Sequence, residues 1–150
     1  MMFGEKLPQS GTSIINHILY IKGCIMTMSR LPDIVIKRVY DPYDVTDGIR
    51  ILVDRLWPRG LHKSDVKMDY WLKNVAPSPE LRHWFAHDPA HWDEFQINYR
   101  HELLHGNADL SRLIEIANQH KVTLLYAARN PLCNHALVLQ KFLTDTLSKK

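Results

Sequence analysis

The stretch Arg50-Ile51-Leu52-Val53-Asp54-Arg55-Leu56-Trp57-Pro58-Arg59-Gly60 decides the fold. Its start is nearly continuously apolar, as in a strand covered on both faces. Pro58 and Gly60 stop it, so residues 50–57 read as a β-strand. Upstream, residues 34–40 (IVIKRVY) are β-branched and aromatic and close on the turn pair Asp41-Pro42. Downstream, residues 122–128 (VTLLYAA) form a third strand of the same character. Between the second and third strands the apolar period becomes helical. Residues 79–87 follow Ser78 as N-cap, and Asp88-Pro89 opens a helix through Leu104 that Gly106 ends. On that helix Trp92, Phe95, Tyr99 and Leu103 share a face; Leu110, Leu113, Ile114 and Ala117 mark the next one. A last helix opens at Asn130-Pro131 and buries Ala136, Leu139 and Leu143. Strands separated by helices predict an α/β fold: a small, at least partly parallel sheet with helices packed on it, in a single domain. Only residues 41–49 join the first two strands, so that pair is either antiparallel or set apart in the sheet.

The 150 residues suffice for one ordinary core, and 45% hydrophobic against 23% charged residues is the balance of a folded protein. The net charge of +3 is a weak excess. Part of it is the Lys149-Lys150 pair, and acids and bases interleave elsewhere. A dedicated nucleic-acid module shows a concentrated basic face, so nucleic acid is not the expected partner. Two cysteines, Cys24 and Cys133, make neither a disulfide scaffold nor a CxxC zinc pair, and a cytoplasmic, reducing location fits them. Residues 14–26 are apolar but interrupted by Asn16, His17 and Lys22. They lack a clean cleavage site and fall short of the roughly 20 apolar residues of a membrane span. With Met26 and Met28 just ahead of the domain, residues 1–30 read as an extension, unstructured or mis-started, and residues 31–150 as the domain. A short amphipathic helix docked on the domain is the alternative for that extension.

Chemistry is expected where polar residues follow apolar strands, because ligands of open α/β sheets bind beyond the carboxyl ends of the strands. Asp54, Arg55, Trp57 and Arg59 follow the second strand, and Arg129 follows the third. Asn134 and His135 stand in the first turn of the last helix, whose positive end would face the same crevice. Arg55, Arg59 and Arg129 would hold a phosphate or carboxylate through their guanidinium forks. Asp54 would orient an arginine or act as base, and His135 with Asn134 would contact the ligand or a water. Strand alternation puts one of Asp54 and Arg55 in the crevice and the other in a structural pair, with Arg55 as the ligand contact. The competing reading is an ion-pair network closing the end of the sheet. Cys133, near the helix start, is either an activated thiolate or a small buried residue. Trp57, Trp71, Trp84, Phe85 and Trp92 would stack a base or, more ordinarily, fill the core. His83, His87 and His91 are four apart, as are His101 and His105, but Asp88-Pro89 breaks the first series and no metal site is expected. Neither GxGxxG nor GxxxxGK[ST] occurs, and no cofactor is implied. The rival function is a non-catalytic binding or regulatory module for nucleic acid or a protein, using Lys37, Arg38, Arg59, Lys63 and Lys67 with Trp57 or Trp71. The oligomeric state is not readable from these patterns.

The chain resembles the YeaO-like family of proteins of unknown function. The matching stretches are Lys37-Arg38-Val39-Tyr40-Asp41-Pro42, Asp47-Gly48, the Arg50–Gly60 block, Ala76-Pro77-Ser78, Glu80-Leu81-Arg82, His87-Asp88, Leu124-Leu125-Tyr126 and Asn134-His135-Ala136-Leu137-Val138-Leu139. Val53-Asp54-Arg55-Leu56-Trp57-Pro58-Arg59-Gly60 is the most specific of them, and residues 1 to about 30 stay unmatched. The resemblance implies a small bacterial or archaeal cytoplasmic domain with no established activity. His83, His91, His101, His105 and Cys133 fall outside its motifs.

Overall fold

The structure, a computed structural model, describes residues 31–149 together with the segments Ile18–Ile21 and Cys24–Thr27. Those two segments, β1 (Ile18–Ile21) and β2 (Cys24–Thr27), pair antiparallel, with Ile18 opposite Thr27 and Ile21 opposite Cys24. They form a sheet separate from the main one. The extension was expected to lack fixed structure; outside this ladder, that expectation lies beyond the described residues.

The main sheet contains β3 (Ile34–Arg38), β4 (Ile49–Leu52), β5 (Tyr70–Trp71) and β6 (Val122–Tyr126). Its order is β3-β6-β4-β5 and every pairing is parallel. The first two strands of the domain therefore sit apart, with β6 between them. All five residues of β6 are buried, which its β-branched and leucine run satisfies. The buried Thr123 hydroxyl donates to the Asp47 carbonyl at 2.6 Å. β5 is an edge strand of two residues that the sequence pattern did not reveal.

Residues alternate between two cores. Ile34, Ile51, Val122, Leu124 and Tyr126 face the larger one, filled by α1 (Pro79–Phe85), α2 (Trp92–His105), α3 (Ala108–Gln119) and α4 (His135–Ser148). Leu52 and Leu125 face a smaller cluster with Val39 and Val66, against which Trp57, Leu61, Met68 and Trp71 pack. Ser78 caps α1, its hydroxyl accepting from the Leu81 N–H at 3.1 Å. Asp88 caps the 3-10 turn that leads into α2, and the break between His87 and His91 is as the proline required.

Among the boundaries that differ from expectation, two bear on the cavity. β4 ends at Leu52, before Asp54, because the Asp54 side chain takes over the next ladder bond (below). α4 starts at His135, not at Pro131. Asn130 uses its side-chain oxygen locally, accepting from the Leu132 N–H at 2.8 Å, while Asn134 caps the helix by accepting from the Leu137 N–H. Cys133 therefore precedes the helix. It is a free, half-buried thiol packed on the larger core, outside the first helical turn that would have activated it. No helix among the described residues is long and apolar enough to cross a membrane.

Candidate functional site

At the carboxyl end of the sheet the side chain of Asp54 joins three elements. Its Oδ2 accepts from the Ala127 N–H at 3.0 Å, where the ladder between β4 and β6 would otherwise have continued. Its main-chain carbonyl accepts from the Trp71 indole N–H at 2.7 Å. Its Oδ1 lies buried 3.1 Å from His135 Nε2. The N–H on that nitrogen is aimed at the Val53 carbonyl, 3.0 Å away, so Oδ1 lies beside the imidazole without a directed hydrogen bond. Tyr99 of α2 meets the His135 ring edge-on, with centroids 6.4 Å apart, and donates its hydroxyl to the Val75 carbonyl. Complete burial, with Glu102 and Asp54 nearby, pushes the Tyr99 phenol well above its ordinary value, so it stays a neutral donor.

A cavity of about 1150 Å³ opens over this point. Asp54, Arg55, Arg59, Arg129, Asn134 and His135 all line it, so residues that span more than half of the domain converge on one crevice. Trp57 does not line it. That indole donates to the Leu61 carbonyl at 2.6 Å and packs edge-to-face on Trp71 in the smaller core. Asn134, 1% exposed, has its side chain fully used, capping α4 and donating to the Asn130 carbonyl at 2.9 Å.

The arginines divide by what they touch. Arg55 donates to the carbonyls of Pro77 and Ala76 at 3.2 and 3.1 Å and to Asn74 Oδ1 at 3.3 Å. It clamps the loop that carries one wall of the cavity, contrary to its expected role as the freer ligand contact. Arg38 donates to the Ala128 and Ala127 carbonyls at 3.0 and 3.2 Å and lies over the Tyr40 ring. The Arg59 carbonyl accepts from the Tyr40 hydroxyl at 2.8 Å, which pins the Arg59 loop. The exposed guanidiniums of Arg59, Arg129 and Arg82 have no ion pair or hydrogen bond among the described residues. Asp54 was expected to pair with an arginine if the cluster were structural; its partner is His135 instead.

Sequence reasoning had left Arg82 and Tyr40 out of the site, had weighed Arg38 only for nucleic acid and had considered His83 and His87 only as metal ligands. All five line the cavity. The signal that could have found most of them was the set of matching stretches, which contain Arg38, Tyr40, Arg82 and His87. His87 and its neighbour Ala86 adopt left-handed conformations, with φ of 56° and 48°. Two consecutive non-glycine residues in that region at a cavity wall store strain that the surrounding packing must hold. No group of three or more His, Cys, Asp or Glu among the described residues could hold a metal ion.

Fold and cavity together define a small, wholly parallel α/β domain with a cationic cleft at the carboxyl ends of its strands. Its relatives narrow that class. The chain belongs to the family described as the inactive DUF488-N3 subclade, which matches residues 33–150. It is 48% identical over 107 residues to the uncharacterized protein YeaO of Escherichia coli strain K12, covering 71% of this chain and 93% of that one. It is 42% identical over 116 residues to an uncharacterized protein of Mycobacterium tuberculosis strain H37Rv, covering 77% and 98%. An uncharacterized protein of Mycobacterium bovis gives the same figures, 42% over 116 residues. No solved structure matches the chain.

Proposed function

We propose that the cavity binds a small organic anion bearing a phosphate or carboxylate. The observation that carries this is the charge of the lining: Arg38, Arg55, Arg59, Arg82 and Arg129 against the single carboxylate of Asp54, which His135 and a backbone N–H already hold. Guanidiniums with no partner around a concave surface are matched by a multiply charged anion. Arg59, Arg82 and Arg129 make the direct contacts, and Arg38 and Arg55 keep the walls in place. Among the described residues no serine, threonine, cysteine or lysine lines the cavity. With Asp54 already held by His135 and a backbone N–H, and the word inactive in the family's description, this supports binding over turnover. Cytoplasmic location fits the unpaired Cys133, and the relatives are bacterial.

Several residues on which the rival nucleic-acid reading relies are engaged elsewhere. Lys37 pairs with Asp47 at 3.0 Å, the Lys67 ammonium sits 4.3 Å from the Tyr43 ring centroid, and Trp57 and Trp71 pack on each other. A thermal-shift panel of nucleotides, sugar phosphates and organic acids tests the proposal, with oligonucleotides at low salt alongside. Stabilisation by a subset of the small anions, lost in Arg129→Ala and Arg59→Ala, is the expected result. A flat response to every small anion, or a shift by oligonucleotides alone, refutes it.

A further inference from the structure

We propose that His135 determines the specificity of this cavity, selecting a phosphate monoester that it binds through a shared proton. This rests on the anion-binding reading above and adds the chemical class of the anion.

The ring's contacts fix its tautomer. A carbonyl oxygen only accepts, so Nε2, 3.0 Å from the Val53 carbonyl, must carry a hydrogen. Asp54 Oδ1, 3.1 Å from the same nitrogen, is a second oxygen beside that hydrogen. Nδ1 is then the lone-pair nitrogen of the neutral ring. It makes no hydrogen bond among the described residues, and His135 is one of the residues that line the cavity. A ligand oxygen that meets Nδ1 must bring a proton or meet one that the ring has taken up.

Phosphate monoesters suit that demand. Their second ionisation, at about 6, lies near neutral pH, so they can still supply the one proton that a bare imidazole nitrogen needs to meet an oxygen. A phosphate monoester brings either that proton or, where the ring has taken the proton up, a second negative charge; a sulfate ester, a phosphate diester or a carboxylate brings neither near neutral pH. The second charge is also what the unpartnered Arg59, Arg82 and Arg129 call for, since arginine does not titrate. The other titratable groups around His135 are Asp54, Tyr99 against its ring, and His83 and His87 on the cavity wall. Tyr99 is held neutral by burial, which leaves the two histidines as the controls. The cavity, about 1150 Å³, is far larger than a phosphate group, and Pro77, Pro79, Phe85 and Phe95 give it an apolar wall. The remainder of the ligand is therefore apolar, and phenyl phosphate is the simplest probe.

Calorimetric titration of the full chain with phenyl phosphate and phenyl sulfate, from pH 6 to 8.5 in two buffers of different ionisation enthalpy, tests the proposal. Phenyl phosphate should bind about tenfold tighter or better, the effect of one further charge-assisted hydrogen bond. Proton uptake should rise to about one per ligand by pH 8, with affinity falling as pH rises. His135→Gln keeps a donor for Val53 and removes Nδ1. It should abolish both the preference and the proton uptake while both anions still bind. Arg129→Ala should weaken both anions alike, and His83→Gln and His87→Gln should keep the preference. In the wild-type protein, nitrogen-15 spectra of the imidazole should show Nδ1 bare without ligand and protonated with phenyl phosphate, a readout independent of any variant. Equal binding of the two anions without proton uptake, or a free-state ring with its proton on Nδ1, overturns the role of His135 but leaves the anion site. Failure of both anions and of inorganic phosphate and benzoate overturns the anion site itself.

Discussion

Replacing Arg55 and Arg129 in turn by alanine separates the arginine that builds the cavity from one that serves it. Arg55→Ala removes two part-buried bonds, to the Pro77 carbonyl at 3.2 Å and the Ala76 carbonyl at 3.1 Å, and one exposed bond to Asn74 at 3.3 Å. A hydrogen bond from a charged donor contributes roughly 1.5–3 kcal/mol when well buried. Solvent lowers the two part-buried ones to about 1 kcal/mol each and the exposed one to nearly nothing. The loss is about 2 kcal/mol, which for a domain of this size lowers Tm by about 6–10 °C. Arg129, exposed and without a partner among the described residues, should change stability by less than about 0.5 kcal/mol. Urea unfolding followed by tryptophan fluorescence measures the first effect, and titration with phenyl phosphate measures the second. Arg129→Ala should weaken binding by about tenfold or more. Arg55→Ala, assayed where it remains folded, should weaken it by about threefold at most, since its guanidinium is turned towards carbonyls. The reverse pattern, with Arg129 costing stability and Arg55 only affinity, would refute the division of the arginines.

Gly48 has φ +70°, and a Cβ there would stand 2.5 Å from the Lys121 carbonyl oxygen, which accepts the Ile49 N–H at the start of β4. Gly48→Ala should cost about 2–4 kcal/mol, from backbone strain and the displaced bond together; an unchanged thermal midpoint would contradict it. Burial would raise the Asp47 carboxyl, but hydrogen bonds from Lys37, the Asp44 N–H and Arg50 outweigh it and hold the group below its ordinary value. The folded chain then binds fewer protons than the unfolded one, so this stabilisation is complete above about pH 4 and drains away as pH falls further. Urea midpoints between pH 5 and 2.5 should show the decline, and Asp47→Asn should flatten it. Trp57→Phe loses the bond to the Leu61 carbonyl and part of the contact with Trp71. It should lower stability by about 1–2 kcal/mol yet leave phenyl phosphate affinity within about twofold, as calorimetry of the variant would show. A large affinity loss would restore Trp57 to the site.

The strand cores and the three long helices were legible because each carries its own period or composition. Val122–Tyr126 is continuously apolar because it is covered on both faces, and Phe95, Tyr99 and Leu103 recur as one helix face must. What escaped depends on side chains that imitate backbone. Asp54 replaces a ladder bond, so the strand ends earlier than its apolar pattern. Asn130 and Asn134 carry the same capping chemistry, and which of them starts the helix depends on where each side chain finds an N–H. At the site, the rule that ligands meet the downstream ends of strands brought together Asp54, Arg59, Arg129 and His135, whose positions follow from strand direction alone. It could not reach Arg82 and His83. They arrive over the cavity because Ser78 is tied to Glu102 of α2, by bonds of 2.9 and 2.6 Å, and because Arg55 clamps the preceding loop. Those are contacts between distant residues. Trp57 was misassigned for a related reason: an aromatic beside a cluster of charges has the same local signature whether it faces a ligand or a second core.

The place of β6 between β3 and β4 has a consequence for how the molecule comes into being. During synthesis Ile34–Arg38 and Ile49–Leu52 leave the ribosome long before Val122–Tyr126, the strand that must pair with both. Until then β3 has no strand to pair with in the main sheet and β4 has only the two-residue β5, while three helices form around them. Folding of this domain is therefore governed by contacts distant in sequence, slow for its size, and exposed to aggregation in the interval. The cavity is made by the same event, because Ala127, Arg129 and His135 follow directly on that strand. A chain interrupted before Val122 would hold α1, α2 and α3 but lack Ala127, Arg129 and His135 of the cavity lining.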